Sequence, residues 1–216
     1  MLALPLHDLP TRSSSGFLIR YILPRSTPPQ LLGLTDRKVL FSTLTMGDLI
    51  IGTGHGSPSE FCGHANEVVM STISVPDVKG KVVYLVSCET AKELGPTLVQ
   101  LGALAFLGFL EDVIWICDAD LTSTPWADKL AEPIMMPIVD SLNTILDGKS
   151  CGEAFQVLQD HFRDRLAVEQ DEFMASLISW NLDSATLLGN TAAKVFQRPQ
   201  LPPFFGLGPP PMIFPM

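Results

Sequence analysis

The 216-residue chain lacks any long hydrophobic run. Its apolar stretches Val82 to Val86 and Ala103 to Leu110 stop well below the roughly 20 residues that a membrane-spanning helix needs, so the chain reads as soluble. The segment Met1 to Asp8 lacks the basic start, apolar stretch and small-residue cleavage site of a secretory leader, which makes the cytoplasm the expected compartment. Cysteine is sparse. Cys62, Cys88, Cys117 and Cys151 form no close-spaced pairs, so neither a zinc ribbon nor a disulfide framework is indicated and the thiols are expected to be free. Positive charge is also scarce, with 14 Lys and Arg against 23 Asp and Glu and a net charge of -9. Phosphate backbones and anionic membranes are repelled by such a chain, which argues against nucleic acid and membrane as partners, whereas a basic peptide is attracted. No internal repeat is present, and no cofactor or metal is implied.

What is present suits a packed domain. Hydrophobic residues make up 46% of the chain and charged residues 17%, enough to bury a sheet with helices on both faces. Three regions are expected. Residues 1–36 are a loosely patterned N-terminal segment with one strand at Gly16 to Leu23, residues 37–197 form the main domain, and residues 198–216 are a Pro-rich tail suited to extended conformation or to wrapping a partner subunit. A second short strand is expected at Lys38 to Ser42. Asp48 to Thr53 and Lys81 to Val86 are continuous apolar runs of strand length, the pattern of parallel strands covered on both faces. A helix is predicted between Cys88 and Gly102, where Thr90-Ala91-Lys92-Glu93 has the capping-box form and Leu94, Leu98 and Leu101 recur at helical spacing. Ala103 to Leu110 follows as a buried strand. Asp128 to Leu146, kinked or interrupted at Pro133 and Pro137, and Gly152 to Val168 read as helices, and Ser184 to Gly189 as a last strand. Strand, helix and strand in this order give an α/β fold in three layers around a mainly parallel central sheet.

Each of the two best strands ends in a reactive side chain: His55 in Thr53-Gly54-His55-Gly56-Ser57, and Cys88 in Ser87-Cys88-Glu89-Thr90. In open α/β sheets the functional crevice lies beyond the carboxyl ends of the strands, so both residues should face one crevice. Cys88 is expected near the amide-rich start of a helix, where a thiolate is favoured, and a neighbouring imidazole can accept and return its proton. Gly54 and Gly56 let the backbone approach a substrate, and the amides of Gly56 and Cys88 can stabilise an oxyanion.

A buried strand ending in His-Gly followed by one ending in Ser-Cys resembles the caspase-like (clan CD) peptidases. Within that group Gly54-His55-Gly56-Ser57, Ser87-Cys88-Glu89-Thr90-Ala91, Leu94-Gly95 and Gly102-Ala103 look most like the CHAT and gingipain-like branches. Trp115-Ile116-Cys117-Asp118, Leu146 to Ala154 and Leu187-Leu188-Gly189-Asn190 are also similar to CHAT domains, and the resemblance covers roughly residues 48 to 195. It implies a caspase-like fold and cysteine-dependent cleavage of a peptide or protein, with Cys88 as nucleophile and His55 as general base or acid. The short region before His55 departs from the pattern and leaves room for a homo-oligomer or a partner subunit to complete the site.

Other readings stand beside this one. Glu111, Asp112, Asp118 and Asp120 cluster after the strand at Ala103 to Leu110. They are either a solvated loop or an acidic pocket for Arg or Lys at the cleaved position, with Asp118 the first choice as the substrate-binding residue. Cys62 and His64, with His55 and Cys88, offer four metal ligands, although their spacing is not the usual paired one, and a structural zinc protein is a minor reading. Gly148-Lys149-Ser150 lacks the earlier glycine of a phosphate-binding loop, since Asn143 stands there, so nucleotide binding is rejected. A catalytically silent caspase-like interaction module is the main alternative, against which stands the joint presence of His55 and Cys88.

Overall fold

The computed structural model describes residues 2–25, 30–32 and 48–195. In chain order these form β1 (Leu2–Leu4), α1 (Leu9–Tyr21), β2 (Gln30–Leu32), β3 (Leu49–Thr53), β4 (His55–Ser57), β5 (Glu60–Cys62), β6 (Val68–Ser71), β7 (Val82–Val86), α2 (Leu94–Gln100), β8 (Ala105–Phe109), α3 (Glu132–Leu146), α4 (Cys151–Val168), α5 (Glu172–Ser184) and β9 (Ala185–Gly189). The expected strand at Lys38 to Ser42 and the Pro-rich tail lie outside the described residues.

The central sheet has the order β2-β1-β3-β7-β8-β9, and its pairings are parallel except for β8 with β9. Every residue of β3, β7 and β8 is buried, as continuous apolar runs require when both faces of a sheet are covered. The two faces have separate cores. Val82, Tyr84 and Val86 point toward α1, α3, α4 and α5. Val83 and Leu85 point the other way, toward α2 and a small antiparallel sheet of β4, β5 and β6. This is the period-2 alternation of a strand, and it gives the α/β sandwich three layers. At about 1.5–3 kcal/mol for each large apolar side chain buried, the two cores are the main favourable term in the fold.

The N-terminal segment departs from expectation. The composition of Gly16 to Leu23 predicts a strand, but Gly16 to Tyr21 lie within α1. Its start is specified locally: Asp8 accepts the Thr11 amide, Thr11 returns the favour to the Asp8 amide, and Pro10 occupies the first turn, where a missing N–H costs nothing. Phe17, Leu18 and Ile22 then bury one helical face. The serine run that reads as a strand boundary is buried instead. Ser15 Oγ donates to the Pro5 carbonyl at 2.7 Å and lies 2.8 Å from Thr53 Oγ1, fastening α1 to the end of β3.

Two further differences concern helices. The expected interruption of α3 is absent: Pro133 falls in its first turn, and the helix continues through buried Pro137. α5 has an N-cap at Asp171 and was not anticipated. By contrast, α4 has the reciprocal Ser150 and Glu153 cap that fixes its start.

Candidate active site at the carboxyl ends of the sheet

The register of two central strands brings the histidine and the cysteine together. Thr53 of β3 lies opposite Val86 of β7, and the Gly54 amide donates to the Val86 carbonyl at 3.3 Å. His55 and Cys88 each follow two residues after this pair. Both line a cavity of about 330 Å³, together with Gly54, Ser87, Asp112 and Trp115. The glycines flanking His55 are required by close approach. A Cβ on Gly54 would lie 2.2 Å from the Cys62 carbonyl oxygen, and one on Gly56 would lie 2.3 Å from Ser87 Oγ and 2.6 Å from the Cys88 carbonyl oxygen. Nothing larger fits at Gly54 against β5 or at Gly56 against the Cys88 turn.

His55 has a carboxylate partner that the sequence reading missed. Its Nε2 lies 2.6 Å from Asp8 Oδ2, while the other Asp8 oxygen accepts the Thr11 amide at 2.9 Å and the Thr11 hydroxyl at 2.7 Å. Burial would raise the Asp8 carboxyl, but the hydrogen bonds from His55 and Thr11 outweigh it and hold it at about 2. Asp8 is therefore ionised across the physiological range and sets the tautomer of a neutral His55 ring: Nε2–H donates to Asp8, which leaves Nδ1 as the acceptor of that tautomer. The capping pattern Asp8-Leu9-Pro10-Thr11 was the available signal for a helix here. Nothing in the sequence signals that this cap meets His55.

Cys88 does not sit at a helix start as expected. The predicted box at Thr90 is not formed, Thr90 Oγ1 donates to the Ser87 carbonyl at 3.3 Å, and α2 begins only at Leu94. A turn separates the two, with Glu89 in the left-handed region at φ +56°. That conformation is uncommon for a residue with a side chain. Burial pushes the Cys88 thiol up to about 11; a hydrogen bond from the Val113 amide opposes this, and the Asp112 and Glu89 charges add to it. Cys88 is thus a neutral thiol in the free protein.

The remaining candidates are placed variously. Asp118 is not among the cavity-lining residues; its side chain accepts the Asp120 amide at 2.9 Å and its own amide donates to Asp128 at 2.7 Å. The carboxylate at the cavity wall is Asp112. Cys117 lines the cavity too, whereas Cys151 is fully buried. Cys62 lies opposite His55 across the β4–β5 pair, and His64 packs edge-on to His7, with ring centroids 5.3 Å apart. Among the described residues, the ligating groups that converge within 4.8 Å of one another are His7, Asp8 and His55; Cys62, His64 and Cys88 are not in that group.

Two solved structures share this architecture. One is the structure of a protease (TM-score 0.62, 12% identity, covering 90% of this chain). The other is the complex of the Porphyromonas gingivalis RgpB pro- and mature domains (TM-score 0.56, 12% identity, covering 84%). The fold is caspase-like. The likeness is one of fold alone, and the CHAT branch gains no support from it. The chain spans about half the length of these structures, 48% and 43%. No protein-family model and no curated protein matches the sequence. Among the described residues no helix is long and apolar enough to cross a membrane.

Proposed function

We propose that this chain is a cysteine-dependent peptide hydrolase in which Cys88 is the nucleophile and His55 the general base and acid, with Asp8 as the positioning residue. The observation that carries the reading is the placement of His55 and Cys88 in one cavity beyond two adjacent, paired strands, with a fixed carboxylate on the imidazole. With its thiol at about 11, Cys88 is ionised in roughly one molecule in 10,000 at pH 7, so the proton leaves as the sulfur attacks rather than beforehand. His55 Nδ1 takes that proton while a C–S bond forms at the substrate carbonyl, and the amides of Gly56 and Cys88 hold the oxyanion. His55 then returns the proton to the departing amine as the C–N bond breaks. Water, deprotonated by the same nitrogen, opens the thioester, and Cys88 recovers its proton.

The charge at Asp112 gives this site a preference. A basic side chain beside the cleaved bond pairs with Asp112 and removes a charge that opposes the thiolate, so the same contact binds and activates. The partner is a peptide or protein substrate. RgpB is solved as a complex of its mature domain with a pro-domain, and a similar covering segment or subunit suits a chain half that length. The test is hydrolysis of fluorogenic peptides with Arg, Lys, Asp or Leu at the cleaved position, alongside labelling by peptide-based thiol probes. Turnover of the Arg and Lys peptides, lost in Cys88→Ala, is expected. Labelling of Cys88 no faster than that of Cys151 would favour the alternative, a silent caspase-like interaction module, to which the raised thiol also points.

A further inference from the structure

We propose that His7, Asp8 and His55 form a binding site for a zinc-type divalent cation, and that occupancy withdraws His55 from Cys88. The binding half stands on the geometry alone; the inhibitory half rests on the proposed Cys88–His55 chemistry.

Three of the four histidines gather at the start of α1. The His7 ring lies edge-on to both His55 and His64, with centroids 5.8 and 5.3 Å away. The His7 side chain is 13% exposed, and both of its ring nitrogens are buried without a hydrogen-bond partner. Its Nε2 comes within 3.2 Å of Asp8 Oδ2 but off the line of a hydrogen bond. Leaving such a group unsatisfied costs stability, and the peptide hydrolysis proposed above makes no use of it. His64 Nδ1 is likewise buried and unpartnered. A cation bonded to His7 would satisfy one of these orphaned nitrogens directly.

Ligand type and spacing select the ion. Ligating atoms of His7, Asp8 and His55 lie within 4.8 Å of one another. Tetrahedral zinc with bonds of roughly 2.0–2.1 Å sets its ligand atoms about 3.3 Å apart. The His7–Asp8 distance of 3.2 Å already matches, and the His55–Asp8 distance of 2.6 Å must open by roughly 0.7 Å. Two imidazoles and one carboxylate suit zinc, whereas calcium and magnesium require shells of oxygen. Asp8 is anchored through its other oxygen by Thr11, which holds the carboxylate as a ligand needs. Water completes the fourth position.

The consequence for His55 follows from counting protons. Neutral imidazole carries one. In the empty site that proton sits on Nε2 against Asp8, and Nδ1 is free to accept from the thiol. A cation on Nε2 moves the proton to Nδ1, which turns the acceptor into a donor. His55 then has no lone pair with which to deprotonate Cys88.

Isothermal titration of metal-stripped full-length protein with zinc sulfate should show one ion bound per chain, and calcium chloride none. Cys88→Ala should bind zinc as the wild type does, His7→Phe roughly tenfold or more weakly, with circular dichroism checking that each variant is folded. Cobalt added to the unaltered protein should give ligand-field absorption without a thiolate charge-transfer band, a readout that needs no variant. Saturating zinc should suppress peptide hydrolysis by more than 90%, reversed by chelator, and His7→Phe should need about tenfold more zinc. The site is overturned if zinc binding survives in His7→Phe but vanishes in Cys88→Ala, or if the wild type binds no zinc. Peptide hydrolysis without zinc binding sinks this inference and leaves the hydrolase standing. Zinc binding by a protein whose Cys88 is inert keeps the site and removes its inhibitory role.

Discussion

Two histidine–carboxylate pairs in this molecule look alike in isolation. His55 Nε2 lies 2.6 Å from Asp8 and His161 Nδ1 lies 2.9 Å from Asp140, and the side chains are exposed to similar degrees. Each histidine borders a cavity of comparable size, about 330 and 310 Å³. What differs is the company. The first pair has a thiol and the glycine-lined turn of two parallel strand ends beside it. The second lies between α3 and α4 with Met136, Pro137, Asp164 and Arg165 around it, and no nucleophile among the cavity-lining residues. A carboxylate on an imidazole orients a proton; it does chemistry only where a reacting atom shares the space.

Substitution should separate the pairs most sharply at the imidazoles. His55→Ala is expected to lower kcat/KM on a basic fluorogenic peptide by roughly 10²- to 10⁴-fold, whereas His161→Ala should change it less than about twofold. Equal losses in the two variants would mean that His55 is merely structural. The carboxylates come next. Asp8→Asn should cost roughly 10- to 10³-fold in kcat with little change in KM, since it leaves space but loses the tautomer, and Asp140→Asn should be nearly silent. Acid titration gives an independent check on Asp8. Its folded value of about 2 lies below that of the unfolded chain, so its stabilising contribution is complete above about pH 4 and is lost as pH falls through 2. Unfolding curves of wild type and Asp8→Asn should therefore converge near pH 2 and separate above pH 4.

The backbone around the first pair can be probed against an open glycine elsewhere in the chain. Gly54→Ala must push a Cβ into the Cys62 carbonyl and should destabilise by about 2–3 kcal/mol in denaturant melts. Gly148→Ala, just past the end of α3 at φ +77°, meets nothing within 4 Å and should cost only the strain of its backbone, about 1 kcal/mol. The smallest effect is electrostatic. Asp112→Asn removes a charge that raises the Cys88 thiol and should speed its alkylation at pH 7 by roughly three- to tenfold, less at high salt. An unchanged rate would place the burial of Cys88, rather than Asp112, in sole control.

Much of this could be read in the chain because it is written locally. The runs at Leu49–Thr53, Val82–Val86 and Ala105–Phe109 carry enough apolar side chains to require covering on both faces, which dictates central strands and layers of helix outside them. Equal offsets from paired strands put His55 and Cys88 in one crevice. Local signals failed where another part of the chain competed. The capping form at Thr90 did not start a helix because the Ala91 amide donates to the Phe109 carbonyl and the Glu93 and Leu94 amides to the Pro58 carbonyl, holding residues 91–94 against other segments. The apolar stretch after Ser15 became helix because the Asp8 cap and packing against α3 outweigh its strand-like composition.

The sequence by itself determined the central strands β3, β7, β8 and β9, their burial and the placing of a histidine and a cysteine just past the ends of two of them, since apolar runs and strand length are properties of neighbouring residues. Only the tertiary structure decided that Asp8 meets His55 across 47 positions, that the His7 ring packs edge-on to both His55 and His64, and that Asp112 rather than Asp118 borders the cavity. Those meetings depend on where a helix end and two loops come to rest against the sheet, and that position is set by packing summed over the whole core.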